Sequence, residues 1–592
     1  MMKSRRRTSR FLRYLHSQKA ILSLLFIVVV SVLLGIFGAE FYTKGEPREA
    51  IVAQAMLDSG DFVLPRVYGA EFAYKPPMSH WLMIVASALT GGEITEVSGR
   101  LPSAIAFIIL VMASFYFYLN RVRYRTAFLV PFVLLTTFEV HRAGITARVD
   151  MLLTLFIVLT LFALYRWEEK RGLKGIPITV PLLITMGILT KGPVALVLPI
   201  FIFGLYLLLL KEYGIGDIIK KLLIVSLLSI PLPAIWYYLA WQEGGDAFLS
   251  LAFAENFMRF FHVQPEALHY ALGHEKPAYF VLIFLLSGAL PWTLQLFFIP
   301  WKKDHPDLLN NSNYREVQIN NARWERLNGV SKVRFFSILV VVVTLIFYML
   351  PSSKRSVYLL PLFPFLSLLI AESLLHMVQI TPKRLVAFSK FVSGIALITV
   401  VALFVLQYSS TTFGMSDPKM LHTLEVVRYG IHAYPALSLL LTSSLLIMIL
   451  TTVYQIKRKG YIKIVYCIVF IFFFLNLNID GPVMMGFKEQ HSAKRFAQMV
   501  TPIVEKSKAE VYTISRLREG IKNLYGLAFY THIQPLAFDR EKPNEGFLIL
   551  WEKNIDEIRE RFLGGYNVQV IAKDTAPIQE GGIAVLLWFE KE

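Results

Sequence analysis

The residues AILSLLFIVVVSVLLGIFGA at positions 20–39 form a run without a single charged side chain. A helix of this length spans about 30 Å, the thickness of the hydrocarbon core of a bilayer. The preceding segment, MMKSRRRTSRFLRYLHSQK (1–19), is basic, and basic residues collect on the cytoplasmic side of membrane helices. A cleaved signal peptide has a shorter apolar core. We therefore expect a retained first membrane helix with a cytoplasmic amino terminus.

The composition is that of an integral membrane protein. Of the 592 residues, 55% are hydrophobic and 17% are charged, whereas an average soluble domain has about 25% charged residues. The net charge of +18 does not indicate a nucleic-acid partner, because the basic residues lie in short loops between apolar runs, as in cytoplasmic loops. The single cysteine, Cys467, lies within an apolar run, so an intrachain disulfide is impossible.

The apolar runs predict a polytopic α-helical protein with about thirteen transmembrane helices. The loops that this threading places in the cytoplasm are basic, as the positive-inside rule requires. A break at Lys191-Gly192-Pro193 divides one long apolar stretch, because a charge followed by Gly and Pro is a poor bilayer centre. The predicted spans are 20–39, 101–119, 126–141, 149–166, 176–190, 193–210, 222–241, 277–299, 334–350, 356–377, 388–407, 434–455 and 461–479.

The stretches between the spans predict two domains. Residues 1–479 form the transmembrane domain, whose outer loops 40–100 and 242–276 carry the site, and residues 480–592 form a periplasmic soluble α/β domain. Within the first outer loop we expect two helices along the membrane surface, at 47–60 and 78–91. The tail is predicted to alternate helices with β-rich runs, at 490–506, 509–515, 546–551, 554–563, 566–572 and 583–589.

Charged side chains far apart in sequence meet on the outer face in this topology. Charge near a membrane is costly and often functional. A site for an anionic lipid needs cations for the phosphate and a carboxylate for a proton. Each residue also has a structural explanation, such as helix capping, pairing with a neighbour, or lysine snorkelling. The residues are Glu46, Arg48, Glu49, Lys75, Arg142, Arg148, Asp150, Lys191, His262, His269, His274, Glu275, Lys276, Lys354 and Arg355.

The first outer loop, GEPREAIVAQAMLDSGDFVLPRVYGAEFAYKPPMSHWL (45–82), resembles that of bacterial membrane glycosyltransferases. These are the 4-amino-4-deoxy-L-arabinose transferases of lipid A and, more distantly, the protein O-mannosyltransferases. Further matches are ITARVDM (145–151), LTKGPVALVLP (189–199), SGALPW (287–292) and SSKRSVYLLPLFP (352–364). The resemblance implies the GT-C fold, with about thirteen transmembrane helices, periplasmic surface helices and a small C-terminal soluble domain.

The resemblance also implies roles for individual residues. Glu46 matches the acidic position of the first loop, where many relatives have Asp-Glu and this chain has Gly45-Glu46. Relatives can carry Glu before the Lys of the KP motif and use it with a loop histidine to hold a metal; Tyr74 stands there in this chain. The implied set is Glu46 and Asp150 as catalytic residues, Lys75, Arg148, Lys354 and Arg355 as ligands of the donor phosphate, Arg48, Tyr74, Lys191 and Tyr358 as substrate-positioning residues, and His269 and His274 as candidates for a divalent metal.

The activity that the resemblance implies is sugar transfer from a polyprenyl (undecaprenyl) phosphate donor with inversion. The acceptor would be lipid A, another glycolipid or a protein, at the outer face of the bacterial inner membrane. A hydroxyl acceptor would need Glu46 or Asp150 as general base, whereas a phosphate acceptor would need none.

Two other classes of protein remain open. A lipid-linked-sugar flippase or transporter would have mid-span charges and repeated halves. An inactive relative would serve as a scaffold for an envelope complex through its tail.

Overall fold

The computed structural model of the chain describes most of its length. The described residues are 2–37, 40–43, 45–67, 71–73, 75–254, 275–299, 331–410, 417–514, 524–578 and 582–592.

Helices dominate the first half of the chain. They are α1 (Met2–Ile36), α2 (Gly45–Ser59), α3 (Met78–Ser87), α4 (Glu96–Leu119), α5 (Tyr124–Thr136), α6 (Phe138–Gly144), α7 (Val149–Arg171), α8 (Thr179–Lys191), α9 (Val194–Leu210), α10 (Ile215–Leu228) and α11 (Pro231–Phe253). A two-stranded antiparallel ribbon, β1 (Arg66–Val67) and β2 (Glu71–Phe72), lies between α2 and α3.

The second half continues with helices and ends in a sheet. Its membrane-region helices are Phe280–Gly288, Lys332–Met349, Phe363–Gln379, Pro382–Tyr408, Pro435–Lys457 and Tyr461–Asn478, together with the 3₁₀ segments Trp292–Phe297 and Ser356–Leu362. The remaining helical segments are Pro418–Ala433, the π-helical turn Ile479–Val483, Met484–His491, Lys494–Ser507, Tyr525–Thr531, Phe538–Glu541, Glu552–Asn554 and Ile555–Phe562. The strands are β3 (Val511–Thr513), β4 (Leu536–Ala537), β5 (Glu545–Trp551), β6 (Tyr566–Lys573) and β7 (Ala584–Lys591).

Every predicted span overlaps a helix or a pair of helical segments. Among the described residues, eight helices are long and apolar enough to cross a membrane, and α10 with α11, bent by 42°, makes a ninth. Three further predicted spans coincide with the shorter apolar helices α5, α8 and α9. The chain is thus a multi-pass membrane protein, while the count of thirteen crossings stays a prediction.

The breaks between helices follow local chemistry. The predicted division at Lys191-Gly192-Pro193 is confirmed, because α8 ends at Lys191 and α9 begins at Val194. Gly192 has a φ of +87°, which a residue without Cβ adopts readily. The two helices predicted for the first loop are also present, as α2 and α3, and their position along the membrane surface stays a prediction.

The core of the helical part is packed around α7, most of whose residues are buried. Close approach depends on small residues at two crossings: a Cβ on Gly187 would lie 2.6 Å from that of Ala195, and one on Gly144 would meet the ring of Phe107. Helix α7 carries Asp150 in its first turn and Glu168 near its end. Eighteen residues separate them, or about 27 Å at 1.5 Å per residue, so they mark opposite ends of the bundle.

The tail folds around a five-stranded mixed sheet with the order β4-β3-β5-β7-β6. Strand β3 is parallel to β4 and β5, and β7 is antiparallel to β5 and β6. Helices Lys494–Ser507 and Tyr525–Thr531 share one apolar cluster with the sheet, and Ile555–Phe562 shares another. Strands occupy all four predicted β-rich runs. The division into domains at 479/480 stays a proposal.

Candidate active site

The carboxylate of Glu49 lies at the centre of a buried group of charges. Glu49 is on α2, and its side chain is 3% exposed. Its Oε1 accepts hydrogen bonds from Nη2 of Arg48, at 2.7 Å, and from the ammonium group of Lys75. Its Oε2 lies 3.2 Å from Nε2 of His80 on α3. The first loop thus folds back so that α2, α3 and the KP motif share one carboxylate.

The pKa values of Glu49 and Lys75 are both lowered, for different reasons. Burial alone would raise the pKa of the Glu49 carboxyl, but Lys75, Arg48 and His80 hold that pKa well below its usual range. Burial lowers the pKa of Lys75 to about 8, although Glu49 opposes the shift. Glu49 is therefore ionised at neutral pH, and Lys75 is a cation that loses its charge only a little above it.

A second ion pair joins α7 to α8. Lys191, the last residue of α8, donates a hydrogen bond to Oδ1 of Asp150 in the first turn of α7. The ammonium group of Lys191 also lies 4.7 Å from the ring centroid of Tyr358. Tyr358 stacks on Tyr348 at 5.4 Å between centroids. The break after α8 therefore places a lysine between a carboxylate and an aromatic face, a favourable cation–π arrangement.

The two ion pairs belong to one electrostatic unit. The carboxylate of Asp150 lies within range of the charges of Lys75 and Arg148 as well as Lys191. The four cations and two carboxylates of this unit carry a net charge of +2. We call this unit the cationic cluster; it consists of Arg48, Glu49, Lys75, Arg148, Asp150 and Lys191.

Arg148 reaches the start of α2 because residue 45 is glycine. The position that a Cβ would take on Gly45 lies 3.0 Å from Nη2 of Arg148. A side chain at residue 45 would therefore press on the guanidinium group. The backbone of Arg148 is held separately, since its carbonyl accepts a hydrogen bond of 2.9 Å from the hydroxyl of Ser103.

Glu46 lies three residues from Glu49 but in a different environment. Its side chain is fully buried, and its Oε1 accepts hydrogen bonds from Nε of Arg100, at 2.8 Å, and from the backbone N–H of Ala147, at 3.1 Å. Burial alone would raise the pKa of Glu46, but Arg100, Lys488 and the backbone N–H of Ala147 together lower it. These bonds anchor the amino end of α2, while the catalytic role of Glu46 stays a prediction.

The remaining predicted site residues either lie in the segment around residue 355 or fall outside the described residues. Lys354, which is buried, donates to the carbonyl of Pro351. Two residues later Ser356 donates to Oε1 of Glu139 at 2.9 Å, and Arg142 donates to the same oxygen at 2.7 Å. The Ser356 bond joins the segment that contains Lys354 and Arg355 to α6, in which Glu139 and Arg142 both lie. Tyr74, His269 and His274 lie outside the described residues.

No metal centre is visible within the described ranges, where no three His, Cys, Asp or Glu side chains come together in a way that could hold an ion. The pair of Glu49 and His80 supplies two such ligands. A divalent metal held by His269 or His274 stays a prediction.

Three residues that the structure brings to the site have no role predicted from the sequence. Glu49 is one of the predicted outer-face charges, but no function is assigned to it. His80 has one buried ring nitrogen, Nδ1, without a hydrogen-bond partner among the described residues. Arg100 immediately precedes the apolar span 101–119. This position is the sequence signal for its role, because a buried arginine needs a carboxylate partner.

Comparisons with known proteins agree with this architecture. Residues 74–237 match the family described as dolichyl-phosphate-mannose-protein mannosyltransferase. The chain is 25% identical over 406 residues to the undecaprenyl phosphate-alpha-4-amino-4-deoxy-L-arabinose arabinosyl transferase of Aeromonas hydrophila, covering 66% of each chain. It is 26% identical over 374 residues to that of Pectobacterium atrosepticum, covering 61% of this chain and 60% of the relative. The match thus spans less than two thirds of these relatives' length.

Among solved structures, the fold resembles that of ArnT from Cupriavidus metallidurans bound to undecaprenyl phosphate. The TM-score is 0.68 at 16% identity, with 96% of this chain and 97% of that chain covered. The apo structure of the same protein also gives a TM-score of 0.68. The chain therefore has the fold of the GT-C membrane glycosyltransferases and, among them, resembles the undecaprenyl phosphate-aminoarabinose arabinosyl transferases.

Proposed function

We propose that this protein transfers a sugar from a polyprenyl phosphate donor to an acceptor at the outer face of the bacterial inner membrane. The observation that carries the proposal is the cationic cluster, whose net charge of +2 is shared by residues of α2, the KP motif, the start of α7 and the end of α8. The phosphodiester of the donor bears one negative charge, and the polyprenyl phosphate that leaves bears a second. The cluster thus matches the charge that develops during the reaction.

Lys75, Arg148 and Lys191 bind the donor phosphate in this proposal. Lys75 and Lys191 are 16% and 23% exposed, with carboxylate partners that hold them in place. Lysine acts on a phosphate as a point charge, and arginine can bind it in a bidentate manner. Glu49 keeps Lys75 and Arg48 in position, while Tyr358 supports Lys191. Lys354 and Arg355 remain candidates for the same phosphate.

Asp150 is the proposed general base for a hydroxyl acceptor. Its Oδ1 is taken by Lys191, whereas its Oδ2 accepts no hydrogen bond from any described residue. The acceptor oxygen would form the new bond to the anomeric carbon as its proton passes to Asp150. The bond from that carbon to the phosphate oxygen breaks with its electrons on the polyprenyl phosphate, and attack from the opposite side inverts the configuration. With a phosphate acceptor, Asp150 would position substrate without taking a proton.

The relatives support particular substrates and a particular orientation. Their names give undecaprenyl phosphate and 4-amino-4-deoxy-L-arabinose, so we propose an undecaprenyl phosphate donor, with lipid A or another envelope glycoconjugate as acceptor. The basic loops support a cytoplasmic amino terminus. They also support a transmembrane catalytic domain over 1–479 and a periplasmic domain over 480–592.

The first test is mass spectrometry of envelope lipids and glycoproteins from cells that lack the protein. Complementation would use wild type, Asp150→Asn, and Asp217→Asn as a control at an exposed acid of α10. We expect one sugar mass to disappear, and to return with wild type and Asp217→Asn only. An unchanged envelope would contradict sugar transfer.

A second test separates an enzyme from a transporter. Purified protein in detergent has no two compartments, so a flippase can produce no new product there. The sugar identified above, as its polyprenyl phosphate, would be incubated with the acceptor and the protein. A glycosylated acceptor supports the enzyme, and its absence with an active envelope phenotype supports the transporter.

A further inference from the structure

Residues 40–42, which lie between α1 and α2, are held by the C-terminal part of the chain. Glu40 lies 3.7 Å from the ammonium group of Lys494. The ring of Tyr42 meets that of Phe487 edge-on, with centroids 5.8 Å apart. Both partners lie more than 440 positions later in the chain. Residues 40–42 are thus held in place by side chains that are distant in sequence.

Tyr530 makes the most specific of these contacts. Its hydroxyl accepts a hydrogen bond from the backbone N–H of Phe41, at 2.8 Å, and donates one to Oε1 of Glu96, at 3.0 Å. Lys494 lies 3.6 Å from the same Glu96 oxygen. The adjacent Phe529 packs on the ring of Phe41 with centroids 5.1 Å apart. One phenol therefore satisfies a backbone donor before α2 and a carboxylate at the start of α4.

The contact continues to the anchor of α2. The guanidinium carbon of Arg100 lies 5.0 Å from the ring centroid of Phe41. Arg100 also donates to the carbonyl of Glu40, at 3.0 Å, and to Glu46, at 2.8 Å. A displacement of residues 40–42 would thus disturb the ion pair that fixes the amino end of α2.

The apolar face of α2 has the same cover. Ala50, Val52, Ala53 and Met56 share a buried cluster with residues of the helix Tyr525–Thr531. Glu49 lies on α2, one turn from the amino end that Glu46 anchors. The C-terminal helix therefore contacts both the entry to α2 and its length.

We infer that Tyr530 is a positioning residue, through which the C-terminal helix Tyr525–Thr531 holds α2 and thereby Glu49 and Lys75 in their reactive arrangement. We call this contact between the C-terminal helix and the first loop the clamp. The effect on catalysis rests on the proposed function, whereas the effect on the order of α2 does not. Displacement of a catalytic group by 1 Å can cost about a hundredfold in rate, so a loosened clamp should be visible in activity.

The test combines local hydrogen exchange with kinetics of the full-length protein. Tyr530→Phe removes the hydroxyl, and Phe529→Leu removes the ring contact. Tyr566→Phe is the matched control, because its ring packs on Phe538 and Phe589 within the tail. Exchange is measured without donor, for residues 40–59 against α7. We expect about three- to tenfold faster exchange in 40–59 for both variants, which corresponds to one hydrogen bond for Tyr530→Phe and to one aromatic pair for Phe529→Leu. Donor kcat/KM should fall by a similar factor.

The outcomes are distinguishable. Unchanged exchange in 40–59 for both variants would overturn the clamp, as would an equal increase across α7, which indicates general instability. If Tyr530→Phe does not fold, Phe529→Leu decides by the same measurement. If exchange responds as expected in a protein that transfers no sugar, the clamp stands and the proposed function fails.

Discussion

Nε of Arg100 donates a hydrogen bond of 2.8 Å to Glu46, and neither side chain is exposed to solvent. This pair separates two acids that lie three residues apart on α2. Glu46 faces α4 and anchors the helix, whereas Glu49 faces Lys75 and His80. Glu46, the acid that matches the family motif, is thus paired with a buried arginine, and its catalytic role stays a prediction. Its neighbour Glu49 belongs to the cationic cluster.

Replacing Glu46 should chiefly affect stability. Glu46→Gln leaves the Arg100 guanidinium buried without its countercharge, and breaking a buried ion pair costs about 3–5 kcal/mol. Thermal unfolding in detergent should show a lower midpoint than for wild type. The exposed Glu93→Gln is the control and should leave the midpoint unchanged. A stable but inactive Glu46→Gln protein would return the catalytic role to Glu46.

Removing the charge of Lys75 should chiefly affect catalysis. We expect Lys75→Met to lower donor kcat/KM by about 10²–10³, the usual effect of losing one preorganised group that stabilises developing charge. The measurement is the rate of sugar transfer as a function of donor concentration, together with binding of undecaprenyl phosphate. Lys174→Met, at an exposed loop lysine, is the control. Near-normal kinetics for Lys75→Met would remove Lys75 from the phosphate site.

The lowered pKa of Lys75, about 8, predicts a pH dependence. The protonated form binds phosphate, so charge is present below pH 8 and is lost as the pH rises through that value. Donor kcat/KM reports the unliganded enzyme and should fall about tenfold per pH unit above the pKa.

Lys75→Arg provides the comparison for the pH profile. Arginine stays protonated, so the fall above pH 8 should disappear even if the maximal rate is lower. A fall that persists in Lys75→Arg would assign the titration to another group.

The support of Lys191 by Tyr358 can be tested with a pair of variants. Tyr358→Phe keeps the aromatic face 4.7 Å from the ammonium group and should retain near-wild-type activity. Tyr358→Leu removes it, and a cation–π contact of about 0.5–2 kcal/mol corresponds to a two- to thirtyfold loss. Steady-state rates of both variants decide the point. Equal losses would mean that the Tyr358 hydroxyl, and not its ring, acts on the substrate.

In the first 200 residues, local sequence patterns were enough to predict the positions of several helices. Helices α2, α3, α8 and α9 lie where apolar runs, surface patterns and the Lys191-Gly192-Pro193 break predicted them. These features depend on neighbours in sequence, since the length of an apolar run and the preferences of Gly and Pro are local properties. The same holds for strands β3, β5, β6 and β7 in the tail.

The partners of the charged residues were not predictable in this way. Glu46 meets Arg100 across 54 positions, Glu49 meets Lys75 across 26, and Tyr530 meets Phe41 across 489. The apolar runs and the positions of the charges are enough to predict that the chain crosses a membrane repeatedly and places cations and acids at one end of its helices. Which acid faces which cation depends on how α2 packs against α3, α4 and the C-terminal helix, and these contacts join residues that are far apart in sequence.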